Sequence, residues 1–183
     1  MSEKHDKAYQ AVGEYFCAFS ALERALGEAI KVIYHLDQHE AADAIVAVLG
    51  DMSKKINLVW TASRMAKNAN GSEPSPDWKK AAGKTMSEVW ECSNDRNLLA
   101  HSFLDPNTDG SVTIQRPHVH SGTLQTEAHG TWTRDQFKAK VQRLSVLTQQ
   151  VQTLTSDLSR FGITIPDAGW MSSAANLPRQ PNP

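Results

Sequence analysis

The chain has 183 residues, of which 40% are hydrophobic, and its formal net charge at pH 7 is −1. This length and apolar content predict one domain with a sizeable core. No apolar run is long enough to cross a membrane, and the charged start MSEKHDKAYQ lacks the apolar segment of a secretory signal. The near-neutral charge gives no global sign of nucleic-acid binding. Cys17 and Cys92 are expected as thiols of a reduced, cytoplasmic protein.

Apolar residues recur at helical spacing in four long segments. The predicted helices cover residues 7–36, 52–68, 78–101 and, from a cap at Thr133 or Asp135, the stretch to Phe161. A shorter helix is predicted over 40–48. Candidate N-caps for the second and third long helices are Asp51 or Ser53, and Asp77.

Residues 104–133 change character before the last helix. Asp109-Gly110 is a turn signal, and SVTIQ and TLQTEAHGTW alternate with β-branched residues. The predicted fold class is therefore all-α, a bundle of four to five helices over residues 1–165, with a small β-hairpin or extended loop inserted. Residues 166–183 contain four prolines and few large side chains, which predicts a disordered tail or a partner-dependent arm.

Basic residues are concentrated in residues 51–84, which contain seven lysines and arginines but only three acidic residues. Lys54, Lys55, Lys79 and Lys80 are the candidates for a phosphate-facing patch. The alternative is an ordinary solvated helix face.

Three polar residues interrupt the end of the third long helix, in the sequence SNDRNLLAHSF. A helical wheel that starts from Met86 places Asn97 in the middle of the apolar stripe, with Arg96 and His101 on either side. A buried guanidinium needs a partner. Glu23, which interrupts the apolar seam of the first helix, is the candidate carboxylate facing Arg96 or His101. This polar group could simply lock the register of the bundle.

The stretch RNLLAH, Arg96 to His101, resembles the Arg-x4-His motif of the HEPN superfamily. The similarity extends to a helical bundle over residues 7–161, with the motif near the end of the third main helix, and to FSALERAL in the first helix. The resemblance implies metal-independent RNA cleavage by a dimer whose two motifs face each other across a composite cleft. It also implies a toxin of a toxin–antitoxin pair, a phage-defence nuclease or an RNA-processing enzyme.

These side chains suit that chemistry. An imidazole such as that of His101 exchanges protons near neutral pH, and the fork of Arg96 can hold two phosphate oxygens. Asn97 would orient His101 or bind the phosphate or ribose, and Glu23 would orient Arg96. The expected products are a 2′,3′-cyclic phosphate and a 5′-hydroxyl. No metal or cofactor is predicted, because His118 and His120 have no carboxylate or thiol at ligand spacing nearby apart from Glu127.

A rival hypothesis is a non-catalytic HEPN-like helical protein. It would bind RNA, nucleotide or a protein partner such as an antitoxin, in the last case through residues 166–183. The near-neutral net charge favours this alternative, because an RNA substrate attracts a basic surface.

Overall fold

The computed structural model describes residues 3–36, 40–120 and 123–163. Five helices lie in this part of the chain: α1 (Glu3–Ile33), α2 (Glu40–Val48), α3 (Met52–Met65), α4 (Pro76–Ala100) and α5 (Arg134–Leu158). The strands are β1 (Ala66–Lys67), β2 (Phe103–Pro106), β3 (Val112–His120), β4 (Thr123–Trp132) and β5 (Gly162–Ile163). The predicted tail, residues 166–183, lies outside the described residues.

Local signals explain where the helices begin. Asp51 caps α3, because its Oδ1 accepts a hydrogen bond from the Ser53 N–H at 2.8 Å. Thr133 caps α5 through a reciprocal capping box with Gln136. For α4 the predicted cap was wrong: Ser75 is the N-cap and Pro76 occupies the first turn, where its missing N–H costs nothing.

The core of the bundle is built around α1. This helix packs most extensively along α5 and also contacts α3 and α4. Its buried positions recur every three or four residues, and they meet the buried stripes of the other helices. The largest fully buried side chains include Tyr15, Leu22, Ile56, Met86 and Leu144.

The all-α prediction is wrong, because the chain has a mixed α/β fold. Strands β2, β3 and β4 form a three-stranded antiparallel sheet in that order, where the sequence predicted a hairpin at most. Side chains alternate between the two faces of a strand, so the apolar residues on one face of this sheet can be buried against the helices. Val112 and Ile114 are buried in the main core, and Leu104 and Trp132 pack against it.

A second, two-stranded sheet joins distant parts of the chain. Strand β1, directly after α3, pairs antiparallel with β5, directly after α5. This bridge fixes the end of α5 beside the loop that leads into α4. Within the described residues, none of the helices combines the length and the apolar character needed to span a membrane.

Candidate functional site

The polar motif lies on the last turns of α4, but its orientation differs from the prediction. The buried residues of α4 are Ala82, Thr85, Met86, Val89, Cys92, Ser93 and Leu99. Arg96 falls within this stripe and is half-buried, whereas Asn97 is exposed. Trp90, four residues after Met86 and on the side of the wheel towards Asn97, is 37% exposed. The predicted centre was therefore wrong by one position, or about 100° around the helix, because the wheel could not show on which sides α1, α3 and α5 lie.

The guanidinium of Arg96 faces α1. Its Cζ lies 6.0 Å from the centroid of the Phe19 ring, at the outer limit of a cation–π contact. Its Nη1 donates a hydrogen bond of 3.3 Å to the Asn97 side-chain oxygen. Among the described residues no carboxylate forms an ion pair with Arg96. Its remaining donors are therefore free to bind an anion.

Arg96 and Asn97 line a cleft of about 150 Å³. Phe19 and Glu23 of α1 and residues 50–52 at the start of α3 form its other walls. At ~30 Å³ per water, this cleft holds about five water molecules, which is enough space for a phosphate group. The antiparallel course of α3 and α4 produces the cleft, since it brings the start of α3 beside the end of α4.

Glu23 lies in this cleft but does not pair with Arg96 or His101. Its Oε1 accepts a hydrogen bond of 2.7 Å from Nζ of Lys55, whose side chain is 8% exposed. The predicted pairing was wrong because Lys55, one turn into α3, projects back onto α1 at the level of Glu23. The ion pair neutralises the carboxylate that would otherwise oppose an anion at Arg96.

Asp51 is the second carboxylate in the cleft, and it too has a partner. One of its oxygens caps α3 by accepting the Ser53 N–H. Glu23 is thus held by an ion pair and Asp51 by a capping hydrogen bond, whereas Arg96 has one hydrogen bond, to Asn97, and keeps further donors. The arrangement can bind an anion such as a phosphate.

His101 stands outside this cleft. It is the C-cap of α4, its backbone N–H donates to the Asn97 carbonyl at 3.1 Å, and its side chain is exposed. Within a single copy of the protein, Arg96 and Asn97 therefore share a cleft, whereas His101 lies one turn further along the chain and is exposed.

Two buried or half-buried contacts hold the end of α4 in place. The Tyr15 hydroxyl donates a hydrogen bond of 3.3 Å to the Cys92 carbonyl oxygen, one turn before Arg96. Asp95 accepts a hydrogen bond of 2.5 Å from Lys140 of α5, and the ammonium of Lys140 lies 4.2 Å from the centroid of the Trp132 ring. The position of Arg96 thus depends on α1, α5 and the sheet.

The predicted basic patch is divided between distant places. Lys54 is exposed in the first turn of α3, beside the cleft, whereas Lys55 is bound to Glu23. Lys79 pairs with Glu73 at 2.6 Å, and Lys80 is exposed beside it at the start of α4. Sixteen residues of helix separate Lys80 from Arg96, a distance of about 24 Å. Only Lys54 can act together with the cleft.

Phe19 and Met52, which line the cleft, were not among the residues predicted for the site. Phe19 could have been found, because it precedes Glu23 by four residues on the same face of α1. Met52 carried no such signal, because its place depends on how α3 lies against α1 and α4. Lys55 was predicted from the basic cluster, but as a phosphate contact and not as the partner of Glu23. Within the described ranges, no three His, Cys, Asp or Glu side chains are grouped so as to hold a metal ion.

The chain matches no protein-family model, no curated protein and no solved structure.

Proposed function

We propose that this protein is a metal-independent endoribonuclease of the HEPN type, with Arg96, Asn97 and His101 as its active residues. The observation that carries the proposal is the position of Arg96, a half-buried residue. It lines a phosphate-sized cleft, and no carboxylate among the described residues neutralises it. A guanidinium with free donors at the wall of a cleft can hold a phosphate group in its planar fork.

Each side chain has a defined task in the proposed reaction. The 2′-hydroxyl of a ribose attacks the adjacent phosphorus while the imidazole of His101 takes its proton. Arg96 stabilises the charge that develops on the phosphoryl oxygens, and Asn97 donates a hydrogen bond to the phosphate or ribose. The bond from phosphorus to the 5′-oxygen breaks, that oxygen receives a proton, and the products carry a 2′,3′-cyclic phosphate and a 5′-hydroxyl.

A dimer supplies what one chain lacks. Since His101 does not line the cleft of Arg96 and Asn97, a two-fold assembly is needed to bring the His101 of one copy to the Arg96 of the other. Two imidazoles at one composite site also provide both a base and an acid. The proposal therefore includes a homodimer as the active species.

The decisive experiment incubates the purified protein with mixed RNA in the presence of a chelator. The wild type is compared with His101→Ala, Arg96→Ala and the control His118→Ala, which alters an exposed histidine on β3. We expect fragments with 2′,3′-cyclic phosphate ends from the wild type and the control. Both site variants should lose at least a hundredfold in rate, as is usual when a general base is removed. Intact RNA with the wild type, or full cleavage by His101→Ala, refutes the proposal.

The second candidate function is binding without cleavage, and the exposed position of His101 outside the cleft favours it. In that case the protein would bind RNA, nucleotide or a protein partner at the Arg96 cleft. The same samples distinguish the two, because binding that is lost in Arg96→Ala, with no cleavage by the wild type, supports only this second candidate.

We further propose that the nuclease acts in a cell as a toxin or phage-defence enzyme that a protein partner restrains. Inducible expression tests this role. The wild type should arrest growth, whereas His101→Ala, produced at the same level, should not.

A further inference from the structure

The outer face of the three-stranded sheet begins immediately beside the proposed catalytic histidine. Leu104 of β2 and Ile114 of β3 are register partners and point towards the core. Alternation along the strands therefore places Phe103 and its register partner Gln115 on the opposite, outer face.

Phe103 is a large aromatic side chain left in solvent. It is 53% exposed, and it lies three residues after the last residue of α4, Ala100. Phe103 comes two residues after His101, so their Cα atoms are at most about 7 Å apart. The residue that carries the ring is thus a close neighbour along the chain of His101, the proposed base.

Gln115 provides a polar group directly beside this ring. It is half-buried, and its side-chain amide makes no hydrogen bond to another described residue. Cross-strand partners on one face have Cβ atoms about 5 Å apart, so the amide of Gln115 is within reach of a base stacked on the Phe103 ring. On the other side of Gln115 the partner is Ala128, an exposed residue with only a methyl group.

Further along the outer face, the polar side chains already have hydrogen-bond partners. The Thr113 hydroxyl accepts a hydrogen bond of 3.0 Å from the Asn107 amide and lies 3.2 Å from the Thr131 hydroxyl. The polar groups there are bound to one another. The exposed ring and the unbonded amide occur together at the end of the sheet nearest His101.

We propose that Phe103 and Gln115 form a subsite for one unpaired RNA base next to the scissile phosphate. A base can stack on the ring and hydrogen-bond to the amide through its edge, as bases do on other sheet surfaces that carry an exposed aromatic residue. A base inside a duplex has both faces covered by its neighbours. The subsite therefore selects single-stranded RNA, an inference that rests on the proposed nuclease function.

The test measures RNA binding in the His101→Ala background, where cleavage does not interfere. A single-stranded oligonucleotide and its duplex are titrated against this protein and against the further variants Phe103→Leu and Phe103→Trp. Leu124→Ala is the matched control, since Leu124 is an exposed apolar residue of β4 far along the hairpin. Melting temperatures and sedimentation are recorded for all variants.

We expect Phe103→Leu to weaken single-strand binding at least tenfold, because stacking on an aromatic ring is lost. Phe103→Trp and Leu124→Ala should stay within about twofold, and duplex binding should be weak and equal in all variants. Single-strand binding that survives in Phe103→Leu overturns the subsite but leaves the nuclease proposal intact if the wild type cleaves RNA. A change in sedimentation with Phe103→Leu assigns the ring to a contact between copies and also overturns the subsite. If the protein neither binds nor cleaves RNA, both proposals fall.

Discussion

Lys55 of α3 and Glu23 of α1 form an ion pair of 2.7 Å at the wall of the Arg96 cleft. The Lys55 side chain is 8% exposed and the Glu23 side chain 36% exposed, so the pair is only partly screened by water. It joins two residues thirty-two positions apart in the chain and neutralises the Glu23 carboxylate, so that Asp51 is the carboxylate of the cleft lining that lacks an ion-pair partner among the described residues.

Replacing Lys55 with methionine should destabilise the protein by about 1–2 kcal/mol. The cost is below that of a fully buried pair, because Glu23 retains contact with water when its partner is lost. Urea unfolding of Lys55→Met, Glu23→Gln and the double variant measures the coupling between the two residues. An additive double variant would show that the ion pair contributes nothing to the free energy of unfolding.

RNA affinity should depend on Lys54 and not on Lys79. Lys54 is exposed beside the cleft, whereas Lys79 is bound to Glu73 near the start of α4, about 25 Å from Arg96 along the helix. Lys54→Ala should reduce the slope of log K against log salt concentration by about one, and Lys79→Ala should leave it unchanged. An equal effect of the two substitutions would place the RNA along the whole of α4.

Tyr15 should make the protein sensitive to alkaline pH. Burial, and after it the nearby charge of Asp95, raises the pKa of Tyr15 well above its usual value near 10, while Arg96 opposes the shift. Because this pKa is higher in the folded state than in the unfolded chain, the Tyr15 hydroxyl contributes its full stabilisation below pH 10. Above pH 10 the hydroxyl of Tyr15 loses its proton in the unfolded chain but keeps it in the folded protein, so the free energy of unfolding falls as the pH rises.

Tyr15→Phe tests this pH dependence against the wild type. The variant should lose about 1 kcal/mol at neutral pH, where the hydrogen bond to the Cys92 carbonyl is removed. Between about pH 10 and 11 the gap between the two proteins should narrow. Parallel stability curves over this range would show that the Tyr15 hydroxyl does not limit alkaline stability.

Glu73 should keep its charge in unusually acidic solution. Hydrogen bonds from Lys79, and after it Lys67, lower the pKa of Glu73 to about 2. Its stabilising contribution is therefore present above the ordinary carboxyl range, near pH 4.5, and is lost as the pH falls towards 2. An NMR titration of the Glu73 carboxyl should show this low pKa, and Lys79→Ala should return it most of the way to the ordinary value. An unchanged titration in Lys79→Ala would mean that the ion pair does not persist in solution.

Interactions between residues close in the chain account for the features that were predicted correctly. The spacing of apolar residues three and four apart located the long helices, and the caps at Asp51 and Thr133 depend on residues two or three positions away. The Arg96–His101 motif was also visible in the chain, because its six residues are contiguous.

Contacts between distant segments decided the orientation of α4, the partner of Glu23 and the formation of strand β2. The wheel of α4 could not show that Arg96 rather than Asn97 faces α1, and the seam of α1 could not show that Lys55 would reach Glu23 first. Strand β2 was not predicted, because its four residues, Phe103 to Pro106, are too few for a periodic signal. They form a strand only because β3 supplies the hydrogen bonds. The helices follow from neighbours along the chain, whereas the cleft and the sheet face exist only after α1, α3, α4 and β3 have packed together.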